Sequence, residues 1–100
     1  MLYDMRTYTL KNGSLGTVEK LFEDAMPVRE KYSRLGGFFH AESGVLNQIV
    51  HIWPYENLEH RREVRAEAAA KGIWPPKGGG DELVFQDNKI VFPTAFSPQQ

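Results

Sequence analysis

The stretch LNQIVHIWPYE, residues 46–56, decides the fold. Its residues alternate with the period of two that is typical of a β-strand. Val50 and Ile52 make one face of the strand apolar, and we predict that this face packs on helices. The opposite face then carries Asn47, Ile49, His51 and Trp53. What this chain does depends on what covers that second face.

The residues before this stretch predict a strand, a helix and a second strand. Alternation indicates a strand from Leu2 to Leu10. Apolar residues at steps of three and four indicate a helix from Leu15 to about Ser33, kinked at Pro27. Phe38 to Ser43 is predicted to form a hairpin with Asn47 to Trp53.

The residues after it predict a second helix and a last strand. Asn57 is a suitable N-cap for a helix from Leu58 to about Lys71, which Gly72 ends. Prolines and glycines predict a loop over about residues 73–86. A strand at 89–92 and a polar tail at 97–100 follow.

The order strand, helix, strand, strand, helix, strand predicts an α+β fold of the ferredoxin-like βαββαβ type, with a four-stranded antiparallel sheet. A length of 100 residues with 41% hydrophobic and 25% charged content predicts one domain, residues 1–100.

The net charge of -1 argues against a nucleic-acid partner. No signal-peptide pattern and no run of roughly 18 apolar residues is present, so we predict no membrane association and a cytoplasmic location.

Two helices cover only one face of such a sheet. In the first strand, the face with Arg6 and Tyr8 is the more polar, and we assign it with Asp4 to the side of His51 and Trp53. This face is too apolar for water and too polar for a plain core. We therefore predict that two copies pair face to face as a homodimer and enclose a cavity for a small molecule.

The register of the strand from Phe38 remains open at this point. One pairing puts Phe39 beside His51, and a slip of one residue puts His40 there. The first pairing is preferred, with Phe39 and Ala41 facing away from the helices.

Three motifs resemble the NIPSNAP family: DMRTYTLKNG at 4–13, GVLNQIVHIWPY at 44–55 and FPTAFSP at 92–98. The resemblance implies a dimeric α+β barrel made of two ferredoxin-like units. The wider superfamily includes cofactor-free monooxygenases, haem-degrading enzymes and isomerases, whereas the family itself has no settled reaction. The segment from Trp74 to Asp87 departs from the family pattern, because glycines and prolines stand where a longer helix is expected, and we interpret it as a mobile lid.

His51 is the candidate catalytic residue, as a general base, since an imidazole titrates near neutral pH. The alternative is a buried neutral histidine hydrogen-bonded to Tyr8 or Asn47. Arg6 is a candidate to hold a carboxylate, enolate or phenolate. Its alternative is an ion pair with Asp4 or another acid.

Tyr8, Trp53 and Asn47 complete the predicted binding site. Tyr8 and Trp53 would line a flat ligand, or would instead be packing groups of the dimer core. Asn47 would stabilise an anion, or would instead cap the hairpin turn.

The basic run at 60–65 is interpreted as an exposed, ion-paired helix face because glutamates interleave with it. We predict no metal site and no cofactor.

The sequence therefore predicts a homodimer that binds a small organic molecule in its barrel cavity, with a cofactor-free monooxygenase or isomerase as the candidate activity. The alternative is a non-enzymatic protein-interaction module. Neither the reaction nor the ligand follows from the residues alone.

Overall fold

The computed structural model describes residues 1–76 and 80–100 of the chain. Its elements are β1 (Leu2–Leu10), α1 (Leu15–Arg29), β2 (Gly37–His40), β3 (Gln48–Tyr55), α2 (Leu58–Ala70), a 3₁₀ turn (Gly80–Glu82) and β4 (Leu83–Val91). The strands form one antiparallel sheet in the order β2-β3-β1-β4. The predicted α+β, ferredoxin-like fold is confirmed.

The best-predicted elements are those with clear end signals. β1 has the predicted bounds, and α2 begins after Asn57, whose Oδ1 accepts a hydrogen bond from the His60 N–H at 2.8 Å. This contact satisfies one of the free amides at the helix start. Gly72 ends the helical region with a φ of 66°, a left-handed conformation that glycine adopts at little cost.

Four boundaries differ from the prediction by two residues or more. α1 ends at Arg29 rather than near Ser33, β2 ends at His40 rather than Ser43, and β3 continues through Pro54 to Tyr55. The largest difference is β4, which begins at Leu83 rather than Lys89 and shortens the predicted loop. Its residues Asp87 and Asn88 have low strand propensity, but pairing with β1 fixes them in the sheet, because tertiary context overrides propensity.

The prediction of which sheet face meets the helices is wrong. Ile49, His51, Trp53 and Tyr55 are at most 1% exposed and face the helices, whereas Val50 and Ile52 lie on the opposite, outward face. β1 follows the same pattern, with Leu2, Asp4, Arg6 and Leu10 buried. The larger side chains fill the space under the helices, and the polar ones pair with each other there, which offsets the cost of their burial.

Two clusters make up the core between the sheet and the helices. One contains Leu2, Trp53, Tyr55 and Val64, and the other contains Leu10, Val18, Phe22 and Ile49. Trp74, which follows α2, packs against both clusters. The segment after α2 is thereby fixed over the core at one point.

The register of β2 differs from both predicted alternatives. Phe38 pairs with His51, and Phe39 pairs with Val50. The preferred pairing of Phe39 with His51 is therefore wrong by one residue, and His40 is not the partner of His51 either. Phe39 faces outward, as predicted, and lies beside Val50. The predicted lid lies partly on residues 77–79, which are outside the described residues.

Candidate functional site

A cavity of about 590 Å³ lies between the sheet and the helices, within a single chain. Its walls come from β1, α1, α2, β4 and the segment after α2. Most of the lining is apolar, including Leu21, Phe22, Trp74 and Leu83. Three of its polar lining residues are Arg6, Tyr8 and Arg65. This combination of volume, apolar walls and a few polar groups is typical of a small-molecule site.

Arg6 is a fixed positive charge in the wall of the cavity. Its Nε donates to the Tyr8 hydroxyl at 3.1 Å and its Nη1 donates to Asp4 Oδ2 at 3.2 Å. With the Asn88 amide oxygen turned toward it, Nη2 donates to that oxygen at 3.2 Å. Burial alone would lower the pKa of Arg6, but its interactions with Tyr8 and Asp4 raise that pKa above its ordinary value.

His51 lies beneath the cavity and does not line it. Its Nδ1 accepts a hydrogen bond from Trp53 Nε1 at 2.8 Å, and its Nε2 is buried without a partner among the described residues. The Phe38 ring stacks on the imidazole at 5.1 Å between centroids. An indole N–H only donates, so the proton of the neutral imidazole is on Nε2. This geometry favours the structural alternative, with Trp53 as the partner rather than Tyr8 or Asn47.

The electrostatics of His51 also argue against a general base. Burial, with the positive charges of Arg6, Arg29 and Arg65, lowers its pKa to about 3. Its one available lone pair is already engaged by Trp53. A base with so low a pKa takes up protons weakly near neutral pH.

Arg29 is a buried cation that the sequence interpretation missed. Arg29 is 1% exposed, whereas its apolar neighbour Val28 is 40% exposed. Its guanidinium lies 4.2 Å from the centroid of the Trp53 ring and donates to the Tyr55 hydroxyl at 2.9 Å. A cation over an indole face is stabilised by the ring electrons, so Arg29 is held without a carboxylate. Its position seven residues after Phe22, in the buried stripe, was the available signal.

Arg61 and Arg65 were also missed, because the basic run was interpreted as an exposed face. Arg62 fits that interpretation and pairs with Glu59 at the surface. Arg61, however, donates from Nε to the buried Asp4 Oδ2 at 3.0 Å, and Arg65 lines the cavity. Both lie beside the buried Val64 and Ala68 on one helix face, a spacing visible in the sequence.

The structure brings together four of the five predicted site residues and leaves one apart. Arg6 and Tyr8 line the cavity, and His51 and Trp53 support it from below. Asn47 lies in the β2–β3 connection with a φ of 59°, where its amide contacts Asn12. Its position matches the alternative of a turn residue.

Within residues 1–76 and 80–100, no group of three or more His, Cys, Asp or Glu side chains is placed to hold a metal ion. His60 Nδ1 accepts a hydrogen bond from the Glu56 backbone N–H at 3.1 Å. In the same described part of the chain, no helix is long and apolar enough to cross a membrane.

The fold and this cavity define a ferredoxin-like α+β domain with a ligand-sized space between its sheet and its helices. The NIPSNAP family model matches residues 3–98, and the chain belongs to this family. The resemblance of the three sequence motifs is therefore confirmed.

The curated relatives that match this chain are longer than it is. A NipSnap homologue of Dictyostelium discoideum is 38% identical over 73 residues, which cover 73% of this chain and 33% of that protein. Human NipSnap homologue 3B is 37% identical over 73 residues, covering 72% of this chain and 30% of that protein. The chain thus spans about a third of the length of these relatives.

Solved structures match the whole chain. A NIPSNAP family protein of unknown function from Agrobacterium tumefaciens has a TM-score of 0.89 and 36% identity, covering 100% of this chain and 94% of that one. A NIPSNAP domain protein from Burkholderia xenovorans has a TM-score of 0.86 and 31% identity, covering 98% and 99%. An antibiotic biosynthesis monooxygenase shares the fold at a TM-score of 0.69 and 9% identity, covering 94% of this chain and 99% of that one.

Proposed function

We propose that this protein binds a small organic molecule in the cavity between its sheet and its helices. The observation that supports this proposal is the 590 Å³ cavity with apolar walls on which Arg6, Tyr8 and Arg65 converge. In this proposal, the binding space lies inside each chain rather than between the sheets of two copies. His51 and Trp53, which are hydrogen-bonded to each other, lie beneath this space.

We also propose that two copies pair through the outward faces of their sheets. This face carries Met5, Val50 and Ile52 together with Phe39, which is 56% exposed. A groove of about 310 Å³ crosses it, lined in part by Met5, Phe39 and Ile52. An apolar sheet face of this kind is usually covered, and a second copy related by a two-fold axis presents the same surface to it.

A cofactor-free monooxygenase or isomerase is the enzymatic form of this proposal. Arg6 would stabilise negative charge that develops on a ligand oxygen, because it is a fixed cation in a partly dry wall. The Tyr8 hydroxyl, which accepts from Arg6, keeps its own proton available to the ligand. The rings of Phe22 and Trp74 would hold a flat or apolar part of the ligand. His51 would act as a positioning residue for Trp53 and Tyr8.

Native mass spectrometry of freshly purified protein tests both parts of the proposal. We expect a dimer that carries a small molecule of defined mass. Leu21→Trp, which fills the cavity, should release that molecule without dissociating the dimer. Val28→Trp, on the exposed side of the same helix, is the matched control and should retain it.

An empty dimer that also fails to bind aromatic or aliphatic probes would contradict the cavity proposal and favour the interaction module. A monomer in light scattering would contradict the pairing of the sheets.

Turnover would be measured by oxygen uptake and product chromatography. We expect Tyr8→Phe to turn over more slowly than the unmodified protein. If His51→Gln, which preserves an acceptor for Trp53, abolished turnover while binding persisted, the positioning role would be wrong.

A further inference from the structure

The polar groups around the cavity carry an excess of positive charge. The charges of Arg6 and Arg61 both act on Arg65. The guanidinium carbon of Arg29 lies 5.5 Å from the centroid of the Trp74 ring. The one carboxylate in hydrogen-bond contact with any of these four guanidinium groups is Asp4, within the described residues. Asp4 is fully buried, is shared by Arg6 and Arg61, and does not line the cavity.

Arg65 differs from the other three arginines in having no partner. Within residues 1–76 and 80–100 it forms no hydrogen bond or ion pair, whereas Arg6, Arg29 and Arg61 are each held by protein groups. Burial, with the positive charges of Arg6 and Arg61, lowers the pKa of Arg65 below its ordinary value. The nearby Asp4 offsets part of the cost of this charge, but no carboxylate in the described chain forms an ion pair with Arg65.

His51 does not change the net charge of this group. Its imidazole is neutral at physiological pH, since its pKa is about 3. Burial is the main cause of this low pKa, and the charges of Arg6, Arg29 and Arg65 lower it further, because each disfavours another cation. The local excess of positive charge consequently remains in the wall of an otherwise apolar cavity.

We propose that the ligand of this cavity is an organic anion, a carboxylate with an apolar body, and that Arg65 is the residue that binds its charged end. This inference rests on the proposed binding function. Guanidinium groups bind carboxylates through two parallel hydrogen bonds, and the donors of Arg65 are not used by the protein. Arg6 and Tyr8 contribute a fixed field beside it, and Leu21, Phe22 and Trp74 contact the apolar body.

Matched pairs of probes test the charge requirement. Isothermal titration would compare 2-naphthoate with 2-naphthamide, and decanoate with decanamide, on the purified full chain. We expect the carboxylate of at least one pair to bind more tightly than its amide by about tenfold or more, as a charge-assisted hydrogen bond implies. If in both pairs the amide binds as well as its carboxylate, the anion inference is wrong but the cavity proposal stands. If no probe binds, the cavity proposal itself fails.

Substitution of Arg65 tests the residue. Arg65→Gln should remove the preference for the carboxylate and leave the affinity for the amide nearly unchanged. Arg62→Gln is the matched control, since it removes the same charge from an exposed position of the same helix. A carboxylate preference that persists in Arg65→Gln, or that is lost equally in Arg62→Gln, would contradict the assignment.

Stability provides a readout that a purely structural arginine would not give. Because Arg65 is partly buried, repelled by its neighbours and unpaired in the described chain, Arg65→Gln should melt at the same temperature as the unmodified protein or higher in the absence of ligand. The carboxylate probe should then raise the melting temperature of the unmodified protein only. A markedly lower melting temperature of the ligand-free variant would indicate a structural role and overturn the proposal.

Discussion

The two faces of the sheet differ in a way that reverses the usual rule. The face under the helices carries Asp4, Arg6 and His51 among its buried residues, whereas the outward face carries Met5, Val50 and Ile52. In an ordinary α+β protein the polar residues would face away from the helices. A strand face that carries polar residues can therefore be the inner one when most of those residues are hydrogen-bonded and border a cavity. Four substitutions or conditions test this comparison.

The largest expected effect is on the inner face. Asp4→Asn removes the carboxylate that Arg6 and Arg61 share and leaves the buried Arg6 and the partly exposed Arg61 without a counter-charge. We expect the free energy of unfolding to fall by about 3–5 kcal/mol, measured by urea denaturation at fixed protein concentration. Asp24→Asn is the control, since Asp24 pairs with Lys20 at the surface and its loss should be within about 0.5 kcal/mol. Equal losses of unfolding free energy in both variants would show that the buried Asp4 contributes no more to stability than a surface carboxylate.

The next effect is on the outward face. Val50→Lys places a charge near the centre of the surface that we propose pairs two copies. A desolvated charge without a partner should weaken dimerisation by about 2–3 kcal/mol, or about 30- to 150-fold in the dissociation constant. Light scattering over a dilution series measures this constant. Val28→Lys, on the exposed side of α1, should leave it unchanged, and a stable dimer of Val50→Lys would place the interface elsewhere.

A pH effect of intermediate size comes from His51. Its pKa is about 3 in the folded protein, against about 6.5 in the unfolded chain. The unfolded chain therefore binds a proton that the folded protein does not bind, so the contribution of His51 is complete above about pH 6.5 and declines toward pH 3. Between pH 7 and pH 5 we expect this group to account for a loss of about 2 kcal/mol.

The measurement is denaturant unfolding at both pH values for the unmodified protein and for His51→Gln. The variant should lose about 2 kcal/mol less between them. His40→Gln, which removes an exposed histidine, is the control and should keep the full pH dependence. An unaltered pH dependence in His51→Gln would mean that the imidazole is not held neutral by its surroundings.

The smallest effect compares one tyrosine on each face. Tyr8→Phe removes the acceptor of the Arg6 Nε donor on the inner face and should cost about 1 kcal/mol of stability. Tyr3→Phe removes an exposed donor to the Gln100 carbonyl and should cost less. Thermal melts of the two variants give the comparison, and a larger loss for Tyr3→Phe would reverse the ranking of the faces.

The sequence predicted the elements of the fold much better than the orientation of the sheet. Strand alternation identifies two faces but does not say which one meets the helices, because it is symmetric under exchange of the faces. The choice rested on the apolar pair Val50 and Ile52, and the volume of Trp53, Tyr55 and Ile49 outweighed it. The predicted last strand was too short. The sequence does not show how much pairing with β1 stabilises Asp87 and Asn88 in the strand conformation.

The candidate site was predicted in part. Arg6, Tyr8, His51 and Trp53 do lie together, because they share one face of two paired strands. Arg29 and Arg65 were missed, because each is a charged residue on a helix and charged residues are usually exposed. Their positions in the buried stripes of α1 and α2 show that helix spacing should be applied to arginines as well as to apolar residues.

The central place of β1 has a consequence for how the chain folds. β1 is the first strand in sequence, yet it pairs with residues 48–55 on one side and with 83–91 on the other. The β2–β3 hairpin is local, but both ladders of β1 close long loops, which slows folding relative to a helical protein of this length. The sheet is therefore complete only when β4 has paired with β1, the strand that carries the buried Asp4 and Arg6.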